Sequence, residues 1–325
     1  MGSHTAASLV EAGHEVALVD NLSNSQGSVV ERLGVVTSAT LDFFLADVGD
    51  GEAMDRVLEK FRPDAVIHCA ALKAVGESVG QPLRYYENNV GGTARLLQVL
   101  DHHDVRNFIF SSSCTVYGDP AVLPLTEDSP TQAAANPYGW TKLMMEQILS
   151  DVAAADPRWS IMLLRYFNPV GAHASRLIGE EPTGPPNNLM PYITQVAAER
   201  RPFLRVFGND YPTPDGTGIR DYVHVVDVAE GHVAAMERLV DRPGRHIYNL
   251  GTGKGHSVLE VVAAFERVTG VKVPHRIEAR RPGDVAANWA AVDKARDELG
   301  WQATRALEEM CLDAWNWETA SKRDP

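Results

Sequence analysis

Between Asn107 and Lys142 the sequence places a buried strand, a serine cluster and a helix start in that order. Asn107-Phe108-Ile109-Phe110 is a short apolar run of the kind that forms a buried parallel strand. Ser111-Ser112-Ser113-Cys114-Thr115-Val116-Tyr117-Gly118 follows at once. In an open α/β sheet, what lies just past a strand sits at the carboxyl edge, where ligands bind. Asn136 and Pro137 then suit the N-cap and first position of a helix. Tyr138 and Lys142 therefore share one helix face, four residues apart.

That pairing has a chemical use. A free tyrosine titrates near ~10 and is a poor base at neutral pH. A nearby ammonium, or the positive charge of an oxidised nicotinamide, favours the phenolate. Ser113, Tyr138 and Lys142 thus form a set able to move a proton on an alcohol or ketone. Tyr-x-x-x-Lys alone recurs by chance in helices; its weight here comes from the strand and serines before it.

The segments around it repeat the βα alternation. A helix over 5–12 stops at Gly13, and Glu15 to Asp20 reads as a strand ending in an acid. A strand-terminal Asp at this distance past a glycine is the ribose-binding half of a dinucleotide fingerprint. Asn21-Leu22-Ser23-Asn24-Ser25 is a polar loop placed to wrap that ribose. Further strands are expected at 41–48, with Asp47 at its exit, at 65–71, followed by Lys73, and at 161–165. Tyr85 to Val90 enters a helix over 91–100, where Asn88 suits a cap as well as a site.

Past residue 168 the alternation breaks down. A Pro/Gly/Asn-rich loop (179–188) precedes a helix at 189–200, a short strand at 204–207, a turn-rich stretch and a strand-like 223–225. A helix from Asp227 to Leu239 and a strand at 246–250 come next, the latter able to rejoin the first sheet. Gly251-Thr252-Gly253-Lys254-Gly255 imitates a phosphate loop, but its spacing fits neither phosphate-binding pattern; it reads as a turn before a helix at 258–269. A strand, the Arg280-Arg281-Pro282-Gly283-Asp284 turn and closing helices complete the chain. Trp301, Trp315 and Trp317 read as core rather than stacking residues.

Composition bounds the partners. With 43 acids against 30 bases the net charge is −13, which argues against nucleic acid and anionic membranes. No apolar run is long enough to span a bilayer, and the first twenty residues lack a basic n-region. Three cysteines form neither a disulfide framework nor a metal spacing, which points to a reducing cytoplasm and to no metal.

The segments Ala74 to Val79, Ser111 to Gly118, Leu164 to Ala172, Asn187 to Tyr192 and Gly216 to Tyr222 carry a resemblance to the extended short-chain dehydrogenase/reductase family, over nearly the whole chain. The resemblance implies a doubly wound parallel (Rossmann-type) sheet with a smaller α/β substrate-binding lobe. Residues 1–168 plus about 219–250 would form the NAD-binding domain, and 169–218 plus 251–325 the UDP-sugar lobe. The implied reaction is NAD-dependent inversion of C4 in a UDP-hexose through a 4-keto intermediate, by a homodimer. Tyr138, Lys142 and Ser113 would be catalytic.

Gly2, Asp20, Asn21, Leu22, Ser23, Asn24, Ser25, Asp47, Val48, Cys69, Ala70, Ala71, Lys73, Asn88, Ser111 and Phe167 would join the three catalytic residues around the cofactor, Asp47 beside the adenine. Lys73, Ser113, Cys114, Thr115, Tyr138, Asn168, Asn188, Leu189, Arg205, Val206, Phe207, Arg220, Tyr222, Arg281, Asp284 and Asn288 would face the substrate. Arg220, Arg281 and Asn188 suit the pyrophosphate, since guanidinium forks match phosphate oxygens, though surface solvation also explains the arginines. Phe207 and Asp284 would hold the uridine side, and Asn288 would wall the C2 substituent of the sugar.

The family places an apolar strand and two further glycines before the glycine matched by Gly2. The expectation is that roughly eleven in-frame codons upstream of Met1 encode them, with a GTG valine codon read as initiator. Two other classes remain open. A 4,6-dehydratase of the same fold carries an Asp-Glu pair next to its active-site hydroxyl residue, where this chain has Cys114 and Val116 around Thr115. A cofactor-free degenerate protein would lack bound NAD altogether.

Overall fold

The computed structural model describes residues 1–325 except 132–135, 182–185, 187, 241, 282 and 321–325, so Asn187 and Pro282 of the quoted motifs lie outside the described residues. Helix α1 (Gly2–Glu11) closes through Gly13, whose φ of +90° is the left-handed conformation that glycine adopts without a Cβ clash. There follow β1 (Ala17–Asp20), α2 (Ser28–Thr37), β2 (Asp42–Leu45), α3 (Gly51–Phe61) and β3 (Val66–His68). In α3 the Asp50 carboxylate accepts from Ala53 N at 3.1 Å, while Met54, Val57 and Leu58 bury one face.

Helices α4 (Val75–Gly80) and α5 (Pro82–Tyr85) lead through a π-helical turn, Tyr86–Gly91, into α6 (Gly92–His102). Such widened turns are rare and concentrate at functional sites. Strand β4 (Asn107–Ser113) runs three residues beyond its apolar part, because the ladder to β5 (Ser160–Tyr166) continues through Ser111↔Leu164, Ser112↔Arg165 and Ser113↔Tyr166. The serines are thus strand residues rather than a turn, with a 3-10 turn (Cys114–Tyr117) beyond them. Helix α7 (Pro137–Ala155) begins as the sequence indicated, with the Asn136 side chain accepting from Gly139 N at 2.9 Å.

After β6 (Asn168–Val170) come α8 (Leu189–Ala197), β7 (Leu204–Phe207), β8 (Ile219–His224), α9 (Val225–Leu239) and β9 (Gly244–Leu250). The chain ends with β10 (Gly255–Ser257), α10 (Val258–Thr269), β11 (His275–Glu278), β12 (Ala287–Asn288) and α11 (Leu307–Ala320). Strands β3-β4-β5-β9 form one all-parallel sheet, and β1 pairs in parallel with β2. Helices intervene between successive strands, which is the doubly wound arrangement.

Burial explains the continuous apolar runs. Phe108, Phe110, Ile161 and Leu163 pack towards Leu96, Leu100, Met145 and Leu149. Ile109, Met162 and Leu164 pack on the other face, against Val228, Ala235 and Leu239 of α9. Both faces of β4 and β5 are therefore covered, and alternation by two leaves no polar side.

The 219–250 stretch, expected in the NAD-binding domain with 246–250 able to rejoin the first sheet, divides its pairing at His224. Strand β6 leaves β5 after the single residue Phe167, and β8 pairs with it (Asn168↔Tyr222) as well as with β10 and β12. Strand β9 returns to β5. The Gly251–Lys254 turn is a nest filled from within: Asp221 Oδ1 accepts from Thr252 N and Oγ1 at 2.9 and 2.6 Å, and Oδ2 from Gly253 N at 3.0 Å. Trp301 and Trp317 are buried, and Trp301 Nε1 donates to the Asp227 carbonyl at 2.9 Å.

Candidate active site

Three elements meet at the carboxyl edge of β4. The first turn of α7 carries Tyr138, whose phenol faces Ser113 at the end of β4. Burial pushes that phenol up to about 12; Ser113 works against the rise, and Cys114 adds to it. One turn on, Lys142 is buried, and its Nζ donates to the Ser111 carbonyl at 2.7 Å and lies 4.7 Å from the Phe110 ring centre. Burial lowers its pKa to about 8. Among the described residues the ammonium bonds to the strand carbonyl, and desolvation controls both groups.

The Ser111 hydroxyl, expected at the cofactor, is taken by protein partners. It lies 3.1 Å from Cys69 Sγ and 3.1 Å from His232 Nε2. His232 Nδ1 lies 2.8 Å from the Val228 carbonyl, which requires the proton on Nδ1 and leaves Nε2 to accept from Ser111.

Two positioning groups escaped the sequence reading. Asn89, beside the expected Asn88, is buried: its Oδ1 accepts from Leu72 N at 2.8 Å, and its Nδ2 donates to Leu72 O at 2.9 Å and Thr141 Oγ1 at 3.0 Å. It ties the segment after β3 to α7, whereas Asn88 is exposed and donates to Asn89 Oδ1 at 3.0 Å. Glu146, four residues past Lys142, is the other; it forms a buried pair with Arg165 on β5. The four-residue stripe Tyr138, Lys142, Glu146 was the available signal.

On the cofactor side, Asp20 Oδ1 accepts from Leu22 N at 2.6 Å and Ser25 Oγ at 2.9 Å. Leu22 is held at φ +56°, a strained conformation for a non-glycine residue. Asn21 Nδ2 donates to Asp47 Oδ2 at 2.8 Å, so loop 21–25 and the end of β2 are joined; Ser23 and Asn24 are exposed and Val48 half-buried. A Cβ on Gly2 would meet only the Cys69 Cβ, at 4.0 Å. Ala70 and Ala71 follow Cys69 at the exit of β3, and Phe167 is buried with Cys114 and Tyr117. Lys73 Nζ and Asn188 Nδ2 converge on Glu180 Oε1, at 2.8 and 3.0 Å.

On the substrate side, Asp284 gathers two arginines: Arg220 Nη2 at 3.9 Å and Arg281 Nε at 3.3 Å. Phe207 lies between Arg281, 4.3 Å from its ring centre, and Arg205, at 5.1 Å; Arg205 also pairs with Glu278. Asn168 opens β6, and Leu189 packs half-buried at the head of α8. Val206 and Tyr222, expected at the substrate, are buried instead in the apolar core of this region: alternation turns Val206 inward from Arg205 and Phe207, and Tyr222 lies in the continuously buried run Asp221 to His224 of β8. Thr115 Oγ1, Tyr211 Oη and Asn288 Oδ1 are buried without a hydrogen-bond partner among the described residues. Unpaired buried polar atoms are costly, so each of these is available to a polar ligand. Cys114 links this region to the serines: burial pushes its thiol up to about 12, and the Arg220 charge opposes that rise.

Residues 1–251 match the NAD dependent epimerase/dehydratase family. The chain belongs to that family. A UDP-glucose 4-epimerase of Bacillus subtilis (strain 168) is 55% identical over 321 residues, covering 99% of this chain and 94% of the relative. The crystal structure of UDP-glucose 4-epimerase from Bifidobacterium longum with NAD+ and UDP is 50% identical, with TM-score 0.95 over 98% of this chain and 95% of that one. A second, from Stenotrophomonas maltophila with NAD and formylated UDP-arabinopyranose, is 51% identical, with TM-score 0.97 over 100% and 96%.

The residues present fit the dinucleotide of the epimerase/dehydratase family. Both bonds to Asp20 fall on Oδ1, so Oδ2 remains without a partner among the described residues and can accept from a ribose hydroxyl. Gly2 at the start of α1 and Ala70 and Ala71 after β3 add little side-chain bulk.

Proposed function

We propose that this chain interconverts UDP-glucose and UDP-galactose by NAD-dependent inversion at C4. What supports the reading is Tyr138 set against Ser113 at the carboxyl edge of β4, with Lys142 one turn behind it and its Nζ bonded to the Ser111 carbonyl. When bound, NAD⁺ supplies the hydride acceptor for C4 and a positive charge beside the phenol. Tyr138 Oη takes the proton of the 4-hydroxyl and returns it after the sugar has turned. Ser113 holds the same oxygen, and Lys142 supplies the fixed charge that makes a buried phenol usable as a base. The sugar must be free to turn while UDP stays fixed. Arg220 and Arg281, gathered by Asp284, hold the pyrophosphate, and Phe207 the uridine side. Asp20 and loop 21–25 bind the adenosine ribose, with Asp47 beside the adenine.

Two further readings belong with this one. The exposed apolar side chains Val75, Val79, Leu83 and Met144 lie on the adjoining helices α4, α5 and α7, and they support a homodimer through that face; α6 turns Leu96, Leu97 and Leu100 inward. Three free cysteines support a reducing, cytoplasmic setting. The deciding experiment is Tyr138→Phe, which keeps the fold and bound NAD and loses ~10²–10⁴ in turnover of UDP-galactose. A variant within about tenfold of wild type removes Tyr138 from this role.

A further inference from the structure

Glu146 is a carboxylate on the same α7 face as Tyr138 and Lys142, and its side chain is 5% exposed. A buried carboxylate one turn past Lys142 would, unopposed, pair with that ammonium and cancel it. Arg165 prevents this. Its Nε donates to Glu146 Oε1 at 2.9 Å and its Nη2 to Oε2 at 2.6 Å, a bidentate pair, while Ser112 Oγ donates to Oε1 at 2.5 Å. Arg165 is itself fixed: it lies 4.8 Å from the Tyr117 ring centre, and its Nη1 donates to the Glu127 carbonyl at 3.2 Å. Ser112 and Arg165 are direct register partners on β4 and β5, so one cluster locks α7 to both strands that carry the site.

We propose that Arg165 is a positioning residue for C4 inversion, holding Glu146 and Ser112 so that α7 keeps its register on β4 and Lys142 stands as the uncancelled charge beside Tyr138. This rests on the reading of Tyr138 as the proton acceptor. Burial lowers the Lys142 pKa, and Cys69 and then Glu146 act against that lowering. The other titratable groups facing this stack are His68, Cys69, Cys114, Tyr117, Glu127 and Tyr166, all left unchanged by the variants below.

The test titrates the Tyr138 phenol by ultraviolet difference against Tyr138→Phe, in holoenzyme of each background, beside the pH profile of kcat. Arg165→Met leaves the Glu146 charge unopposed and should move the phenol titration and the acid limb of kcat up by about one pH unit, for charges ~12 Å apart along a helix. Glu146→Gln leaves the guanidinium unopposed and should move both down by a similar amount. The double variant should return them to within about 0.3 pH unit of wild type. Singles that lower kcat without moving either titration, or that move it in the same direction, overturn the proposal in favour of a merely structural pair. Should Arg165→Met not fold, Glu146→Gln alone decides by the sign of its shift. The phenol titration needs no turnover, so absence of epimerisation in wild type would strike the proposed function and leave this test readable.

Discussion

Lys142 Nζ donates to the carbonyl oxygen of Ser111 at 2.7 Å, tying the ammonium to the strand rather than to the phenol on its own helix. The bond fixes the charge under the carboxyl edge of β4, inside a buried environment that disfavours it. Burial lowers the pKa from 10.5 to about 8, a penalty on the charged form of ~3 kcal/mol. The site therefore keeps a strained charge where a neutral side chain would be more stable.

Stability should follow. A lysine whose folded pKa is depressed destabilises the fold while both states are protonated, and the penalty fades as pH rises between the two values. From this group, urea midpoints of the cofactor-free protein should rise from pH 8 to about 10.5. Lys142→Met should raise the midpoint at pH 7, flatten that rise and abolish turnover. A midpoint that falls at pH 7 would show the Ser111 bond outweighs desolvation.

Much of this arrangement was legible from residue pattern. The Asn136 cap, Pro137, the Tyr138–Lys142 face and the Val258–Thr269 helix behind Ser257 depend on local chemistry, and they appear where the pattern places them. Non-local pairing was harder to read. Ser111 to Ser113 look like a turn because they are polar, yet the ladder to β5 and partners on both faces of the sheet keep them in the strand. Val206 and Tyr222 fall in substrate-like motifs, but Val206 follows strand alternation into the core and Tyr222 lies in a continuously buried run of β8. Asn89 and Glu146 carry no local signal of their roles, because their partners Thr141 and Arg165 are distant in sequence and meet them only in the packed α7.

Asn89 makes its bonds in a buried space, so removing its amide leaves Leu72 N, Leu72 O and Thr141 Oγ1 short of partners. Asn89→Ala should lose about 2–4 kcal/mol in urea unfolding. The NAD affinity should fall with it, since the backbone after β3 loses its anchor to α7. A loss below about 0.5 kcal/mol would mean that water replaces the amide without cost.

Asp221 fills the Gly251–Lys254 nest and also accepts from Ala290 N at 3.1 Å through Oδ2. Its two oxygens each meet two donors, and Asn offers one oxygen and one NH₂. Either orientation of Asp221→Asn sets an NH₂ against at least one backbone N–H, costing about 1–3 kcal/mol. Gly251→Ala should be as harmful, because its Cβ would lie 2.6 Å from Asp221 Oδ2. Thermal unfolding of the two variants checks both statements, and a neutral Asp221→Asn would sink the nest interpretation.

Substrate breadth turns on Asn288. It lies on β12, paired with Arg220 of β8, and its Oδ1 is buried without a partner among the described residues. If this position walls the sugar at C2, the free acceptor suits the N–H of an acetamido group, and the short side chain leaves space that a tyrosine ring would fill. The protein should then epimerise UDP-N-acetylglucosamine as well as UDP-glucose, and Asn288→Tyr should suppress only the former. Losing one hydrogen bond and gaining a steric clash should separate the two kcat/KM values by ~10²-fold or more. Wild type that leaves the N-acetyl sugar untouched would mean that another side chain closes the pocket. Equal loss on both sugars in Asn288→Tyr would place Asn288 at the Arg220 end of the site, where it serves UDP binding rather than C2 discrimination.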